Sequence, residues 1–449
     1  MTDAGSIGAE AGALARYFAF SERRTNVRTE VLAGVTTFLT MAYIVLVNPS
    51  ILGQAGMPVA SVAAATCFAA GFASILMGLV ANTPLALAPG MGLNAYFSFT
   101  VVQHMGVPWP VALGCVLISG VCFLILTVTG VRQLIVASIP NYLFAAVAGG
   151  IGLFIGFIGL KDAGIVVADP ATYVALGHLK SPGPALAILG LILIGALSVW
   201  NVRGAMLIGI VATTIVGWLS GQVSVSPQPY SLAALTGTAF KLDLPGVLHI
   251  GNGGWSALIE ILFVFLFVDL FDNIGTLVAV GKRANLFDET HRIPRLNRIL
   301  LADATATICG SLAGTSTVVS YVESAAGVAA GGRTGVTAIV TGLLFVAALF
   351  VAPVVGAIPQ EATAPALIVV GSLMASALAE IPWADPEAAI PAFLTMVTIP
   401  LSFSIANGLA FGFIAYAALK VLRGKFRQVN WFVYVLAALF AFRFFFVGR

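Results

Sequence analysis

Long apolar runs separated by short polar connections extend along almost the whole chain. The hydrocarbon core of a bilayer is roughly 30 Å thick, and a helix needs about 20 apolar residues to cross it. On this scale the pattern predicts an all-α polytopic membrane protein with about 14 transmembrane spans in two groups of about seven. The predicted spans are 30–53, 60–81, 84–104, 108–130, 139–160, 184–200, 204–222, 255–281, 299–313, 315–331, 335–357, 362–381, 388–401 and 403–422.

The third and tenth of these spans are interrupted at corresponding positions of the two groups. The third contains Leu87–Asn94 (LAPGMGLN), and the tenth opens with Gly314–Ser320 (GTSTVVS). Such runs survive at membrane depth only when they are buried in protein and paired. We therefore predict in each a short strand followed by a half-helix, with the two half-helix N-termini meeting in mid-membrane. Because each group holds an odd number of spans, the groups are expected to form a 7+7 inverted repeat.

Composition indicates that lipid, not water, surrounds this chain. Of its 449 residues, 59% are hydrophobic and only 9% are charged, whereas soluble domains carry about 25% charged residues. The net charge of +3 gives no basic surface for nucleic acid, so no nucleic-acid partner is expected. The cysteines and histidines are scattered, which gives neither a disulfide framework nor a metal site. No cofactor is expected, and the bilayer is the predicted environment.

The basic residues favour a cytoplasmic N-terminus. In that orientation the predicted inside loops carry sixteen lysines and arginines and the outside loops carry three, which is a strong positive-inside bias. The inside residues are Arg16, Arg23, Arg24, Arg28, Arg132, Arg203, Lys282, Arg283, Arg292, Arg295, Arg298, Arg333, Lys420, Arg423, Lys425 and Arg427. The outside residues are Lys161, Lys180 and Lys241.

The two ends of the chain lead to separate predictions. The segment Met1–Glu30 lacks the short apolar stretch and small-residue cleavage site of a signal peptide, so the first span is expected to stay as an anchor in the inner (plasma) membrane. The apolar segment Trp431–Phe446 fits two interpretations. It is either an interfacial helix or a further partial span.

Few acidic residues lie deep within the apolar spans. They are Glu260, Asp269, Asp272, Asp303 and Glu323. A carboxylate in the bilayer costs several kcal/mol unless it is paired, solvated or protonated. No lysine or arginine lies at comparable depth within the predicted spans, so protonation or a bound ligand is expected to compensate these charges.

Asp269 and Asp272 share one face of the eighth span with Thr276, within about 60° on an ideal helix. Two such close carboxyl groups should make one of them keep its proton near neutral pH. Asp269 is the predicted proton-coupling residue. Asp303, near the cytoplasmic start of the ninth span, is either a second proton-coupling residue or a structural acid. The simpler alternative for either Asp269 or Asp272 is that it braces a neighbouring broken helix.

Glu323 lies in the first turn of the tenth-span half-helix, where the helix dipole and free N–H groups favour a carboxylate. Asn94 occupies the matching half-helix of the third span and offers both a donor and an acceptor. Together with Asp272, Thr276 and Ser320 they form the predicted substrate-binding set. The alternatives are that Glu323 only stabilises its own helix and that Asn94 only braces the helix break.

Five sequence runs at these positions carry a family resemblance. They are VTTFLTMAYIV at 35–45 with Asn48-Pro49, APGMGLNA at 88–95, FVDLFD at 267–272 and SYVES at 320–324. In this order and at these spans they resemble the AzgA-like purine permeases of the nucleobase/ascorbate transporter superfamily, over residues 16 to 430. Uracil and xanthine relatives have a Glu-His pair on the eighth span, whereas this chain has Asp272 and Thr276.

The resemblance implies uptake of a purine nucleobase (hypoxanthine, guanine or adenine) by proton symport through alternating access. By motif match it places the substrate site at Asn94, Asp269, Asp272 and Glu323. It also implies a division of the chain. Residues 30–130 and 255–357 would form a core domain that holds the substrate, 131–222 and 358–422 a gate domain, 1–29 a cytoplasmic N-terminal segment, and 423–449 a C-terminal segment.

Two other classes remain as alternatives. An intramembrane aspartyl hydrolase needs facing carboxyl groups that share a water, but these two aspartates lie three residues apart on one helix. The other class is a transporter of an anion or of another small molecule on the same fold. An anion site would need a basic residue at the half-helix junction, where Glu323 instead carries a negative charge. The sequence also leaves open the preferred purine, sodium in place of the proton, and a homodimer through the gate helices.

Overall fold

The computed structural model describes residues 13–130, 138–222, 232–250, 254–284 and 295–444. Arg132 and Arg292 of the predicted inside set lie outside these ranges, as do residues 445–446 of the C-terminal segment and the side chains of Lys282 and Arg283. The helices are α1 Ala13–Tyr17, α2 Val27–Met41, α3 Ile44–Gly53, α4 Val59–Val80, α5 Met91–Ala95, α6 Trp109–Val128, α7 Asn141–Asp162, α8 Pro182–Val199, α9 Ala205–Leu219, α10 Leu232–Leu235, α11 Leu244–Val247, α12 Gly254–Ala284, α13 Leu296–Ala313, α14 Ser324–Ala329, α15 Gly335–Ala347, α16 Ala352–Val355, α17 Gln360–Ala375, α18 Pro386–Ser402, α19 Ile405–Leu422 and α20 Trp431–Phe442. The strands are β1 Leu87–Pro89, β2 Val166–Asp169, β3 Tyr173–Leu176 and β4 Val318–Ser320.

Within these ranges, 8 helical stretches are long and apolar enough to cross a membrane. They cover the predicted first, second, fourth, fifth, sixth, eleventh, twelfth and fourteenth spans. Three shorter apolar helices, α9, α18 and α20, join them. The chain is thus a mostly helical, multi-pass membrane protein. The five acids that the sequence places deep in apolar spans lie on α12, on α13 and at the start of α14.

The two predicted strands form and pair with each other. β1 runs antiparallel to β4, with Leu87 opposite Ser320 and Pro89 opposite Val318. Backbone bonds continue the ladder at both ends, from Gly90 N–H to the Thr317 carbonyl at 2.9 Å and from Tyr321 N–H to the Ala86 carbonyl at 3.0 Å. All residues of both strands are buried. Each strand therefore satisfies the backbone of the other where water is excluded.

A half-helix follows each strand, as predicted. Gly90 precedes α5, whose last residue leads directly into a π-helical segment, Tyr96–His104. After β4, Glu323 is the N-cap residue of the short helix α14. π-Helical turns are rare and frequently lie at functional sites. Because β1 pairs with β4 and a half-helix follows each strand, the starts of the two half-helices lie close together.

The long helices pack as two bundles. In the first bundle α4 packs against α15 and α13, and α6 packs against α12 and α13. In the second bundle α7 packs against α17 and α18, and α8 packs against α9 and α17. Small residues set some of these contacts. A Cβ atom on Gly335 would lie 2.0 Å from the carbonyl oxygen of Gly78, so α4 and α15 touch backbone to backbone.

A buried acid fixes the start of α2 to the start of α15. The Glu30 carboxylate accepts hydrogen bonds from Thr337 Oγ1 at 2.5 Å, Thr337 N–H at 3.3 Å and Arg333 N–H at 2.9 Å. Glu30 is fully buried. Its carboxylate is thus hydrogen-bonded by donors from the turn that opens α15.

A hairpin that the sequence analysis did not predict follows α7. Strands β2 and β3 pair antiparallel, with Val166 opposite Leu176. The Asp169 carboxylate closes the turn by accepting from the backbone N–H groups of Ala171 and Thr172 at 2.8 and 2.9 Å. These bonds stabilise its ionised form and keep its pKa below the ordinary range.

Candidate functional site

Four helices meet at the paired strands, and these elements carry the predicted binding residues. Helix α12 packs against both β4 and α14, and α3 packs against β1 and α5. Asn94 lies on α5, Asp272 on α12 and Glu323 at the start of α14. Asn94 belongs to the first half of the sequence, and Asp272 and Glu323 belong to the second half. The fold therefore brings residues of both halves to the paired strands.

Glu323 is held by a tyrosine from the first span. Tyr43 Oη donates a hydrogen bond of 2.7 Å to Glu323 Oε1. Tyr43 is 1% exposed and lies where the first span breaks between α2 and α3. This bond fixes one oxygen of the carboxylate, and each carboxylate oxygen has more than one lone pair, so the group keeps capacity to accept from a ligand.

Tyr43 was not among the residues predicted to contact Glu323. In the sequence, Tyr43 lies within the apolar run that carries the family resemblance, and no role was predicted for its side chain. It lies 280 positions from Glu323. A hydroxyl in the middle of an apolar span was the available signal, because a buried tyrosine hydroxyl usually finds a partner.

Asn94 is completely buried and its two amide atoms differ in their contacts. The carbonyl oxygen Oδ1 accepts a short hydrogen bond from Ser316 Oγ. The amide nitrogen Nδ2 has no hydrogen-bond partner among the described residues. A buried donor of this kind costs free energy unless something accepts from it, so Nδ2 is suited to a ligand acceptor.

The two aspartates of α12 differ in exposure. Asp269 is 1% exposed, whereas Asp272 is partly exposed. Asp272 lies within electrostatic range of Asp303 on α13 and of Tyr321 after β4. Asp303 is itself fully buried. Asp272 is therefore partly accessible, whereas Asp269 is enclosed by the protein.

Two further residues of the predicted set carry hydroxyl groups. Ser320, the last residue of β4, is 3% exposed, and its Oγ has no hydrogen-bond partner among the described residues. Thr276 lies one turn beyond Asp272 on α12 and is 9% exposed. Next to Ser320, Tyr321 Oη donates a short hydrogen bond to the Pro89 carbonyl and so ties the two strands together. The site combines carboxylate acceptors with amide and hydroxyl donors.

Glu260 does not belong to this site, and its surroundings correct one expectation. Its Oε1 atom forms an ion pair of 2.6 Å with Arg443 Nη2. Arg443 lies after α20, beyond all the predicted spans. For Glu260 a guanidinium, and not a proton or a ligand, thus compensates the buried charge. The expectation failed because the partner comes from the C-terminal segment.

Comparison with known proteins gives a consistent set of relatives. A family model described as "Permease family" matches residues 28–411. The chain is 46% identical over 439 residues to the adenine permease AdeP of Escherichia coli K12, covering 97% of each chain. It is 44% identical over 444 residues to the guanine/hypoxanthine permease PbuG of Bacillus subtilis, covering 96% of this chain and 99% of PbuG.

Among solved structures, the chain is similar to the transmembrane domain of a cyanobacterium bicarbonate transporter, BicA. The TM-score is 0.63 at 15% identity, and the match covers 86% of this chain and 96% of the BicA chain. At this identity the likeness concerns the fold alone.

Proposed function

Because this chain belongs to the permease family that matches it over residues 28–411, and within it to the AzgA-like purine permeases, we propose that it imports purine nucleobases by proton symport through alternating access. It is a membrane transporter and not an enzyme, so the alternative of an aspartyl hydrolase falls away. The proposed substrates are hypoxanthine, guanine and adenine. Support comes from relatives named adenine permease and guanine/hypoxanthine permease, which match this chain along nearly their whole length.

The observation that carries the proposal is the meeting of Glu323, Asp272 and Asn94 at the paired strands. A purine is flat and uncharged near neutral pH, with N–H donors on one edge and ring-nitrogen or carbonyl acceptors elsewhere. A carboxylate accepts two N–H bonds at once, and these charge-assisted bonds are stronger than neutral ones. The site offers acceptors and donors without a lysine or arginine among its described residues, which favours a neutral polar ligand over an anion.

Each residue then has a distinct proposed role. Glu323, oriented by Tyr43, accepts from the N–H edge of the base, and Asp272 accepts beside it. Asn94 Nδ2 and Ser320 Oγ donate to acceptors of the ring, since both lack partners among the described residues. Thr276 lines the same face of α12 as Asp272.

Asp269 is the proposed proton-coupling residue, and Asp303 is the second candidate. Both are buried, where a charged carboxyl is unfavourable and a proton is easily retained. One proton that enters down a potential of 100 mV adds about 2.3 kcal/mol of driving force, which corresponds to roughly fiftyfold accumulation. Binding and release of that proton would couple purine entry to the membrane potential.

The proposed architecture is a 7+7 inverted repeat of about 14 spans in the plasma membrane, with the N-terminus in the cytoplasm. The first bundle is the proposed core domain, residues 30–130 and 255–357, and the second is the gate domain, residues 131–222 and 358–422. Three observations support this arrangement: the packing into two bundles, the pairing of β1 with β4, and the fold likeness to BicA. Alternating access would move the core, with its bound base, relative to the gate.

The proposal is tested by uptake in a bacterial strain that lacks its own purine permeases. Cells that express the protein should take up labelled hypoxanthine or adenine, and unlabelled hypoxanthine, guanine and adenine should compete, whereas uracil, xanthine and bicarbonate should compete weakly. Empty-vector cells give the baseline. Uptake no greater than that baseline for hypoxanthine, guanine and adenine would refute the purine assignment, and strong competition by bicarbonate would favour the anion alternative.

A further inference from the structure

The C-terminal helix α20 packs antiparallel against α19 at one side of the second bundle. Near its start, Tyr434 Oη donates to the Phe426 carbonyl at 3.1 Å. At its other end, Arg443 Nη1 donates to Asn407 Oδ1, in the first turn of α19, at 3.1 Å. The helix thus runs from the turn that follows α19 back to the first turn of α19. The described part of the segment is therefore a helix that packs along a spanning helix.

The end of α20 also contacts α12, the helix that carries Asp269 and Asp272. Arg443 Nη2 pairs with Glu260 Oε1 at 2.6 Å, and the two side chains are only 17% and 16% exposed. One turn earlier, the Phe440 ring meets the Phe263 ring edge to face at 5.0 Å and the Phe413 ring of α19 in a stacked arrangement at 6.3 Å. A single short helix therefore joins α12 of the first bundle to α19 of the second.

Three further polar contacts between the bundles lie at the same side, whereas one, from Arg203 Nη1 to Thr36 Oγ1 at 3.1 Å, lies toward the other side. By the predicted orientation, the side of the three contacts is the outer side, because α12 and α19 both begin there and α3 and α7 both end there. The three contacts are Gln54 Nε2 to Asp162 Oδ2 at 2.8 Å, Thr100 Oγ1 to the Phe403 carbonyl at 2.7 Å, and Ser50 Oγ with Thr363 Oγ1 at 3.1 Å. The bundles are thus closed against each other on the outer side.

We propose that α20 is a clamp, in which the pairing of Arg443 with Glu260 stabilises the outward-closed conformation of the transporter. This inference rests on the proposed function, because it requires the core to move relative to the gate. When the core moves, Glu260 separates from Arg443, which stays with Asn407 on the gate. An ion pair that exists in only one of two conformations shifts their populations by its own free energy.

The clamp predicts a specific kinetic effect. If the closed conformation dominates, the apparent affinity for external substrate is reduced by the fraction of molecules that are open to the outside. Glu260→Gln and Arg443→Gln should each raise that fraction, so the external half-saturation concentration should fall, by about fivefold for a partly exposed pair. A variant that is merely less stable would lower the amount of protein in the membrane and leave the half-saturation concentration unchanged.

The experiment measures initial uptake of labelled hypoxanthine and labelled adenine against external concentration, with protein in the membrane quantified for each variant. Arg427→Gln is the matched control, since Arg427 is a nearby basic residue that contacts Phe426 and lies away from α12. The charge swap Glu260→Arg with Arg443→Glu keeps a pair and should restore the wild-type half-saturation concentration. If the single variants do not reach the membrane, the half-saturation concentration is measured on the charge-swap variant.

The proposal is overturned if both single variants keep the wild-type half-saturation concentration, or if the charge swap does not restore it. Failure of the clamp and failure of the proposed function are distinguishable. Absent purine uptake by the wild-type protein contradicts the function, whereas normal wild-type uptake with unshifted variants contradicts only the clamp.

Discussion

At the scale of single residues, the Glu323 carboxylate combines a fixed orientation with free acceptor capacity. Glu323→Gln keeps the shape of the side chain but replaces one acceptor oxygen with a donor, which opposes the N–H edge of a purine. We expect purine binding to weaken by about 2 to 4 kcal/mol, or roughly 30-fold to 1000-fold in half-saturation concentration. Concentration-dependent uptake checks this, with the exposed Glu380→Gln as control. Near-normal apparent affinity of Glu323→Gln would remove Glu323 from the substrate site.

The sequence alone identified the buried acids but not the side chains that pair with them. The cost of a buried charge was enough to single out Glu323, Asp269 and Asp272, since it depends on residue type and on the surrounding apolar run. Tyr43 and Arg443 were not found as partners, because their contacts join positions 280 and 183 residues apart. Such pairings depend on how helices pack, and that information is not local in the sequence.

At the scale of elements, the close contact of α4 and α15 depends on residues without a side chain. A Cβ atom on Gly335 would lie 2.0 Å from the Gly78 carbonyl oxygen, and the atom it meets is backbone, so the helices must move apart. We expect Gly335→Ala to lower the melting temperature of the purified protein by several degrees. Gly195→Ala on α8 is the control, because a Cβ atom there meets nothing within 4 Å. Equal melting temperatures for the two variants would contradict this account of the packing.

The elements differ in how well the sequence predicts them. The strands β1 and β4 and their half-helices are confirmed, because Pro, Gly and β-branched residues in an apolar span leave few other arrangements. The hairpin of β2 and β3 was not predicted, since two strands of four residues in a polar connection carry little periodicity. For residues 431 to 446 the apolar length fitted two structures. In the described part of this segment, Arg443 and Phe440 hold a helix against α12 and α19.

At the scale of the whole molecule, the division into two bundles explains why the site lies where it does. The first bundle holds both interrupted segments, so it holds both half-helices and the acids of α12 and α13. In the second bundle the two halves of the sequence also correspond: Pro140 precedes α7, and Pro359 precedes α17. The sequence predicted the paired breaks, but the helix partners within each bundle come only from the three-dimensional packing.

The central claim is that a proton gradient drives purine accumulation, and purified protein in sealed vesicles tests it most directly. With an acidic exterior, wild-type protein should concentrate labelled hypoxanthine or adenine inside the vesicles above the external level, and a protonophore should abolish this. Asp269→Asn mimics the protonated acid but cannot release a proton, so it should exchange purine for purine without net accumulation. If wild-type vesicles accumulate purine equally with and without the proton gradient, or if Asp269→Asn accumulates it normally, the proposed coupling is wrong.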